Sequence, residues 1–141
     1  QPFTGERFWS DERAAWYRGP KGLLRCTTRP CPSLASAYLT ATSPDMFEGA
    51  DEERFGRLAR SVRMRRFGGD CYAYCMLALG YIDVVAEAKL QPFDIVALCP
   101  IVEKAGGVVS AWDGGSPVGG GRCIACGDPA LQPEVVRILS G

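Results

Sequence analysis

Apolar side chains recur along this chain with helical spacing in three places and with strand-like density between them. Phe55, Leu58, Ala59 and Val62 fall at i, i+3, i+4 and i+7, so the spacing predicts an amphipathic helix from Ala50, with Asp51 as its N-cap. A second helix is predicted from Asp70, where Cys71, Tyr74, Cys75, Ala78 and Leu79 share a face and Gly80 takes the C′ position. A third starts at Pro92 and Asp94 with Ile95, Leu98, Cys99 and Val102 inward, and Pro100 predicts a kink inside it. A fourth closes the chain behind Asp128-Pro129, with Pro133 able to delay its first regular turn.

The intervening segments read as strands. They are ASAYLTAT (35–42), RMRRF (63–67), YIDVVAE (81–87), GVVSAW (107–112) and RCIACG (122–127). Residues 1–25 are strand-and-turn material with a Gly19-Pro20 turn, and residues 26–33 are a Pro-interrupted connector. Alternating strands and helices predict a layered α/β (α+β) sandwich with a mixed sheet and flanking helices. The expected division is 1–43 as the tail end of a preceding α+β half, and 44–141 as a C-terminal α/β half. An opening inside strand-like QPFTGERFW, without an initiating Met, gives the expectation of a truncated chain.

Composition narrows the function classes. The chain has 141 residues, 47% of them hydrophobic, with 16 basic and 16 acidic side chains. That balance supplies no long-range attraction to nucleic acid or to an anionic membrane, and no run reaches the roughly 20 apolar residues of a membrane span. Seven cysteines include a C-x-x-C at Cys123 and Cys126, but there is no second pair and no histidine to complete a zinc site. Reduced, buried thiols in a cytoplasmic protein are the expectation. The GGSPVGGG loop (114–121) matches neither glycine-rich phosphate fingerprint and reads as a flexible hairpin connection.

Without histidine, carboxylates carry the candidate chemistry. Asp70, Glu87 and Asp94 each stand at the end of a predicted element, and element ends form the mouths of α/β sheets where ligands bind. A carboxylate at a helix start is also an ordinary cap.

The segment GGDCYAYCMLALGYIDVVAEAKLQPFDIVALCPIVEKAGGVVSAWDG resembles the C-terminal signature of the inositol monophosphatase superfamily. Phe93-Asp94 stands at its aromatic-Asp pair. Glu103-Lys104-Ala105-Gly106-Gly107 stands near its E-A-G-G, with Lys104 inserted or substituting. QPFTGERF, TSPDMF and RRFGGDCYAYC look most like the histidinol-phosphatase branch. The resemblance implies a Mg²⁺-dependent phosphomonoesterase acting on a small phosphorylated substrate, histidinol phosphate or an inositol phosphate, and a homodimer. It implies that Asp94 is catalytic as a metal ligand, that Glu87 hydrogen-bonds the non-phosphate part of the substrate, and that Gly69 and Asp70 contact substrate. An acid at position 70 suits the amine of histidinol phosphate, which inositol lacks.

The family's D-P-[IL]-D-G-T metal motif does not occur in these residues. Since one carboxylate cannot hold two or three Mg²⁺ ions, the 141-residue chain alone is expected to be inactive and marginally stable or self-associating. The other readings are an inositol-1-phosphate or sugar-phosphate phosphatase and a non-catalytic binding or assembly module.

Overall fold

The computed structural model describes residues 1–141. The first elements are β1 (Arg7–Ser10), β2 (Ala15–Gly19) and β3 (Gly22–Arg25), an antiparallel three-stranded sheet. Gly19 pairs with Gly22, which leaves Pro20-Lys21 as the two-residue turn. The β1–β2 turn is closed by Asp11, whose Oδ1 accepts from the backbone N–H of Arg13 (2.8 Å) and of Ala14 (2.9 Å).

The second sheet has five strands in the order β5-β4-β6-β8-β7. They are β4 (Tyr38–Ala41), β5 (Met64–Phe67), β6 (Val84–Leu90), β7 (Val108–Ala111) and β8 (Gly121–Cys126). Strand β4 runs parallel to β5 and β6, while β8 runs antiparallel to β6 and β7. The helices are α1 (Ala50–Ser61), α2 (Asp70–Ala78), α3 (Pro92–Ile95), α4 (Cys99–Ala105) and α5 (Gln132–Ser140).

Strand β6 shows why the sheet is central. Consecutive residues point to opposite faces, and Val84, Val85 and Ala86 are all buried. Val84 and Ala86 pack with Leu58 of α1 and with Val135 and Leu139 of α5. Val85 packs with Tyr74 and Leu77 of α2 and with Val102 of α4. The small sheet closes over this second layer, where Ala15 meets Ala78, Ile101 and Ala105. The expected layered architecture with a mixed sheet is therefore present. No helix is long and apolar enough to cross a membrane.

Several local expectations shift. Strand β4 pairs inside the five-stranded sheet, so the passage between sheets lies before Tyr38 and not at residue 43. The first part of the 35–42 segment is a short 3₁₀ turn, Leu34–Ser36. Helix α1 is entered through Gly49 at φ 54°, two residues before the expected cap. Asp51 lies inside the first turn and instead pairs with Arg122 of β8 at 2.7 Å. The third helix is two pieces, because Pro100 has no N–H to give the carbonyl of Val96, and a turn separates α3 from α4. Strand β6 begins at Val84, after Gly80 and Tyr81 finish α2 with N–H bonds to Leu77 O and Met76 O, the Schellman pattern.

Candidate active site

Strands β4, β5 and β6 point their carboxyl ends the same way, and one cleft of about 450 Å³ opens there. Asp70, Glu87 and Asp94 all line it, together with Thr42, Tyr74 and Phe93. The three carboxylates singled out from the sequence thus meet on one surface. Gly69 is the residue immediately before α2 and is not itself part of the cleft lining. No cationic side chain lines the cleft, so its local field is negative.

Glu87 sits three residues before the end of β6, with 2% exposure. Its Oε1 accepts from Thr42 N–H at 3.1 Å and from the Thr42 hydroxyl, and its Oε2 accepts from the Tyr74 hydroxyl at 2.8 Å. Each carboxylate oxygen of Glu87 thus has a donor within the protein. Burial and the adjacent carboxylate push the Tyr74 phenol well above its usual range, so it stays a donor.

Asp94 is exposed at the cleft edge. The chain emerges from β6 at Leu90 and turns through Gln91-Pro92, and Pro92 fixes the first helical position of α3. Gln91 N–H donates to Asp94 Oδ2 at 2.7 Å, and Asp94 N–H donates to the Gln91 carbonyl at 3.0 Å. This reciprocal pair fixes the carboxylate and leaves Oδ1 without a hydrogen-bond partner in the protein.

Asp70 is exposed at the first turn of α2. Gly68, Gly69 and Asp70 have φ of 97°, 110° and 43°, so three successive residues adopt left-handed backbone. Aspartate is among the few non-glycine residues that tolerate this conformation. Gly68 N–H donates to the carbonyls of Ala41 and Thr42, which ties this turn to the end of β4.

The donor set can be weighed against a divalent metal. An exposed aspartate and hydroxyl oxygens are hard ligands, the type that suits Mg²⁺ or Ca²⁺ and not Zn²⁺. Asp94 has one carboxylate oxygen without a protein partner, and the Asp70 carboxylate, which makes no side-chain hydrogen bond, has two. No group of three or more His, Cys, Asp or Glu side chains is close enough to hold a metal ion.

The cysteines form neither a disulfide nor a metal-holding cluster. All seven are free and six are buried. Burial pushes the thiols of Cys75 and Cys126 up to about 12, and those of Cys26 and Cys123 up to about 11, which disfavours the reactive thiolate. Cys71 departs from the expected buried face and lies exposed in the cleft wall. No spacing rule points to Thr42 or Tyr74; the convergence of β4, α2 and β6 brings them to the cleft.

The chain matches the inositol monophosphatase family over residues 1–140. It is 44% identical over 88 residues to the bifunctional phosphatase IMPL2 of Arabidopsis thaliana, covering 62% of this chain and 25% of that protein. It is 31% identical over 116 residues to a histidinol-phosphatase of Streptomyces coelicolor, covering 80% of this chain and 44% of that protein. A solved inositol monophosphatase from Zymomonas mobilis superposes with a TM-score of 0.92 at 35% identity, covering all of this chain and 55% of that one. The chain thus spans less than half of these curated relatives and about half of the solved structure. Its fold, its cleft of carboxylates and its match from end to end place it in one family: the chain belongs to the inositol monophosphatase family.

Proposed function

We propose that the protein acts as a metal-dependent phosphomonoesterase, with Mg²⁺ as the metal and histidinol phosphate as the substrate. The observation that carries this reading is the convergence of Asp70, Glu87 and Asp94 on one cleft that has no cationic lining. A divalent cation held there would clamp phosphoryl oxygens and lower the pKa of a water, the chemistry that slow monoester hydrolysis requires.

Each residue of this chain has a role in that reading. Asp94, fixed by Gln91 N–H, holds the metal. Glu87 keeps the cleft floor closed through Thr42 and Tyr74 and touches the non-phosphate part of the substrate through that network. Gly69 gives the backbone its left-handed entry to α2, so the Asp70 carboxylate reaches the substrate. Asp70 pairs with the substrate ammonium, a charge-assisted contact that a neutral polyol cannot make. Six buried thiols suit a reducing compartment such as the cytoplasm. Because these residues supply only part of the metal sphere, the 141-residue chain by itself does not turn over phosphate.

A second reading, hydrolysis of an inositol phosphate, is favoured by the likeness to the Zymomonas mobilis inositol monophosphatase. A substrate panel on the protein encoded by the whole reading frame that contains these residues separates the two. Asp70→Ala is expected to lower kcat/KM for histidinol phosphate about 10-fold, equivalent to ~1.4 kcal/mol, and to leave inositol 1-phosphate unchanged. Equal loss on both substrates would remove Asp70 from specificity. Absence of metal-dependent phosphate release from either substrate would overturn the phosphatase reading.

A further inference from the structure

The glycine-rich hairpin between β7 and β8 makes more specific contacts than a flexible connection would. Strand β6 pairs regularly with β8 from Val84 to Glu87, then slips register, and resumes at Leu90, which pairs with Gly121. Within the slip Lys89 has φ 61°, a left-handed conformation that is uncommon outside glycine. The chain is thus re-aimed between Glu87 on the cleft floor and the Gln91-Pro92 turn that carries Asp94.

Gly120 lies against that turn. A Cβ built at position 120 would sit 2.4 Å from the Leu90 carbonyl oxygen, 2.8 Å from the Gln91 carbonyl carbon and 3.0 Å from the Pro92 nitrogen. All three are backbone atoms, so no rotamer change relieves the overlap. Gly120 also has φ 74°, and its own N–H donates to the Pro117 carbonyl at 3.0 Å, which closes the hairpin tip. Next to it, Gly119 has open space: nothing lies within 4 Å of its Cβ position. Of these two neighbours, only Gly120 leaves no room for a Cβ against the Leu90-Gln91-Pro92 backbone.

From this we infer that the hairpin is a brace for Asp94, with Gly120 as the positioning residue. Its backbone packs flat on Leu90-Gln91-Pro92 and fixes the Gln91 N–H that holds Asp94 Oδ2. The brace acts through Gln91 and does not touch a ligand. This inference rests on the reading of Asp94 as a metal-holding residue, and the two are separable by experiment.

The test compares Gly120→Ala with Gly119→Ala in the protein encoded by the whole reading frame that contains these residues, by amide hydrogen exchange and by titration with Mn²⁺ alone. Gly120→Ala is expected to speed exchange of the Gln91 amide at least about 10-fold while Leu39 and Thr40 of β4 stay protected, a local opening of ~1.4 kcal/mol. Gly119→Ala leaves every amide unchanged. In the unsubstituted chain, the Gly120 and Gln91 amides open together with one denaturant dependence, a readout that stands if Gly120→Ala does not fold. Gln91 exchange within twofold of the parent in Gly120→Ala, or independent opening of the two amides, would overturn the brace. Mn²⁺ broadens resonances around Asp94 in the parent chain and does so at several-fold higher concentration in Gly120→Ala. No broadening in the parent would overturn the metal role of Asp94 and leave the exchange result to decide the brace.

Discussion

Glu87 is the carboxylate of the cleft that the fold removes from water, and it survives there because every oxygen has a donor. A buried acceptor that loses its partner keeps the full desolvation penalty, about 1–3 kcal/mol. Tyr74→Phe deletes the one hydroxyl that reaches Oε2 and changes little volume. It is therefore expected to lower unfolding free energy by ~2 kcal/mol, read as a shift in urea midpoint with an unchanged slope. Unaltered stability would mean that another donor already serves Glu87. Of this cluster only the acid was legible in the sequence, because carboxylates at element ends are conspicuous. Thr42 lies 45 residues from Glu87 and Tyr74 lies 13 away, and neither spacing belongs to a local motif. Asp94 was legible for the opposite reason: its turn is local, with Pro92 and Gln91 within three residues of it.

Among the elements, helices were easier to place than strands. The apolar periodicities of α1 and α2 are set by residues that do pack inward, Phe55 and Leu58 in one, Tyr74, Cys75 and Ala78 in the other. Strand starts were displaced by short turns that run into them, the 3₁₀ turn Leu34–Ser36 before β4 and the Schellman close of α2 before β6. The C-terminal helix shows an end that was legible and also does more than expected. Asp128 caps the short 3₁₀ turn Pro129–Leu131 through the Ala130 N–H at 3.0 Å and also accepts from Cys31 N–H at 2.9 Å. The Cys31 bond first, and the Ala130 bond second, hold its carboxyl below the usual carboxylate range. A folded pKa below the unfolded one means that the contribution is complete above the unfolded value and disappears as pH falls through the folded one. Asp128→Ala should cost about 1 kcal/mol at neutral pH through the lost cap. Asp128→Asn, which cannot titrate, should flatten the loss of stability seen below about pH 4. Thermal unfolding of the three proteins between pH 2 and 7 checks both; parallel acid limbs would remove Asp128 from the pH response.

At the scale of the whole molecule, the connector between the two sheets is the part most exposed to failure, because it contains no helix or strand of its own from Cys26 to Ser33. It is held by single contacts to several elements. Thr28 N–H donates to Ala105 O at the end of α4. Arg29 makes a two-pronged ion pair with Asp83, Nε to Oδ1 at 2.8 Å and Nη2 to Oδ2 at 2.6 Å, and its guanidinium lies 5.1 Å from the Tyr38 ring centre. Asp83 also accepts from Tyr38 N–H at 2.8 Å, so one carboxylate ties together the connector, the start of β4 and the entry to β6. Asp83 is 1% exposed, whereas the Arg29 side chain is 41% exposed. Breaking a fully buried pair costs about 3–5 kcal/mol because a charge is left behind. Water reaches Arg29, so a smaller figure applies, and Arg29→Ala is expected to cost ~2 kcal/mol. Arg29→Lys should recover only part of that, since an ammonium cannot reproduce the fork. Asp83→Asn in the Arg29→Ala background should regain stability, because it removes the stranded charge and keeps an acceptor for Tyr38. The urea transition of all four proteins decides the matter. A single transition that moves with each substitution means that the small sheet and the large one unfold as one cooperative unit through this pair. Two transitions in Arg29→Ala, with the second unmoved from the parent, would show that the connector only attaches the small sheet and contributes nothing to the five-stranded layer that carries the cleft.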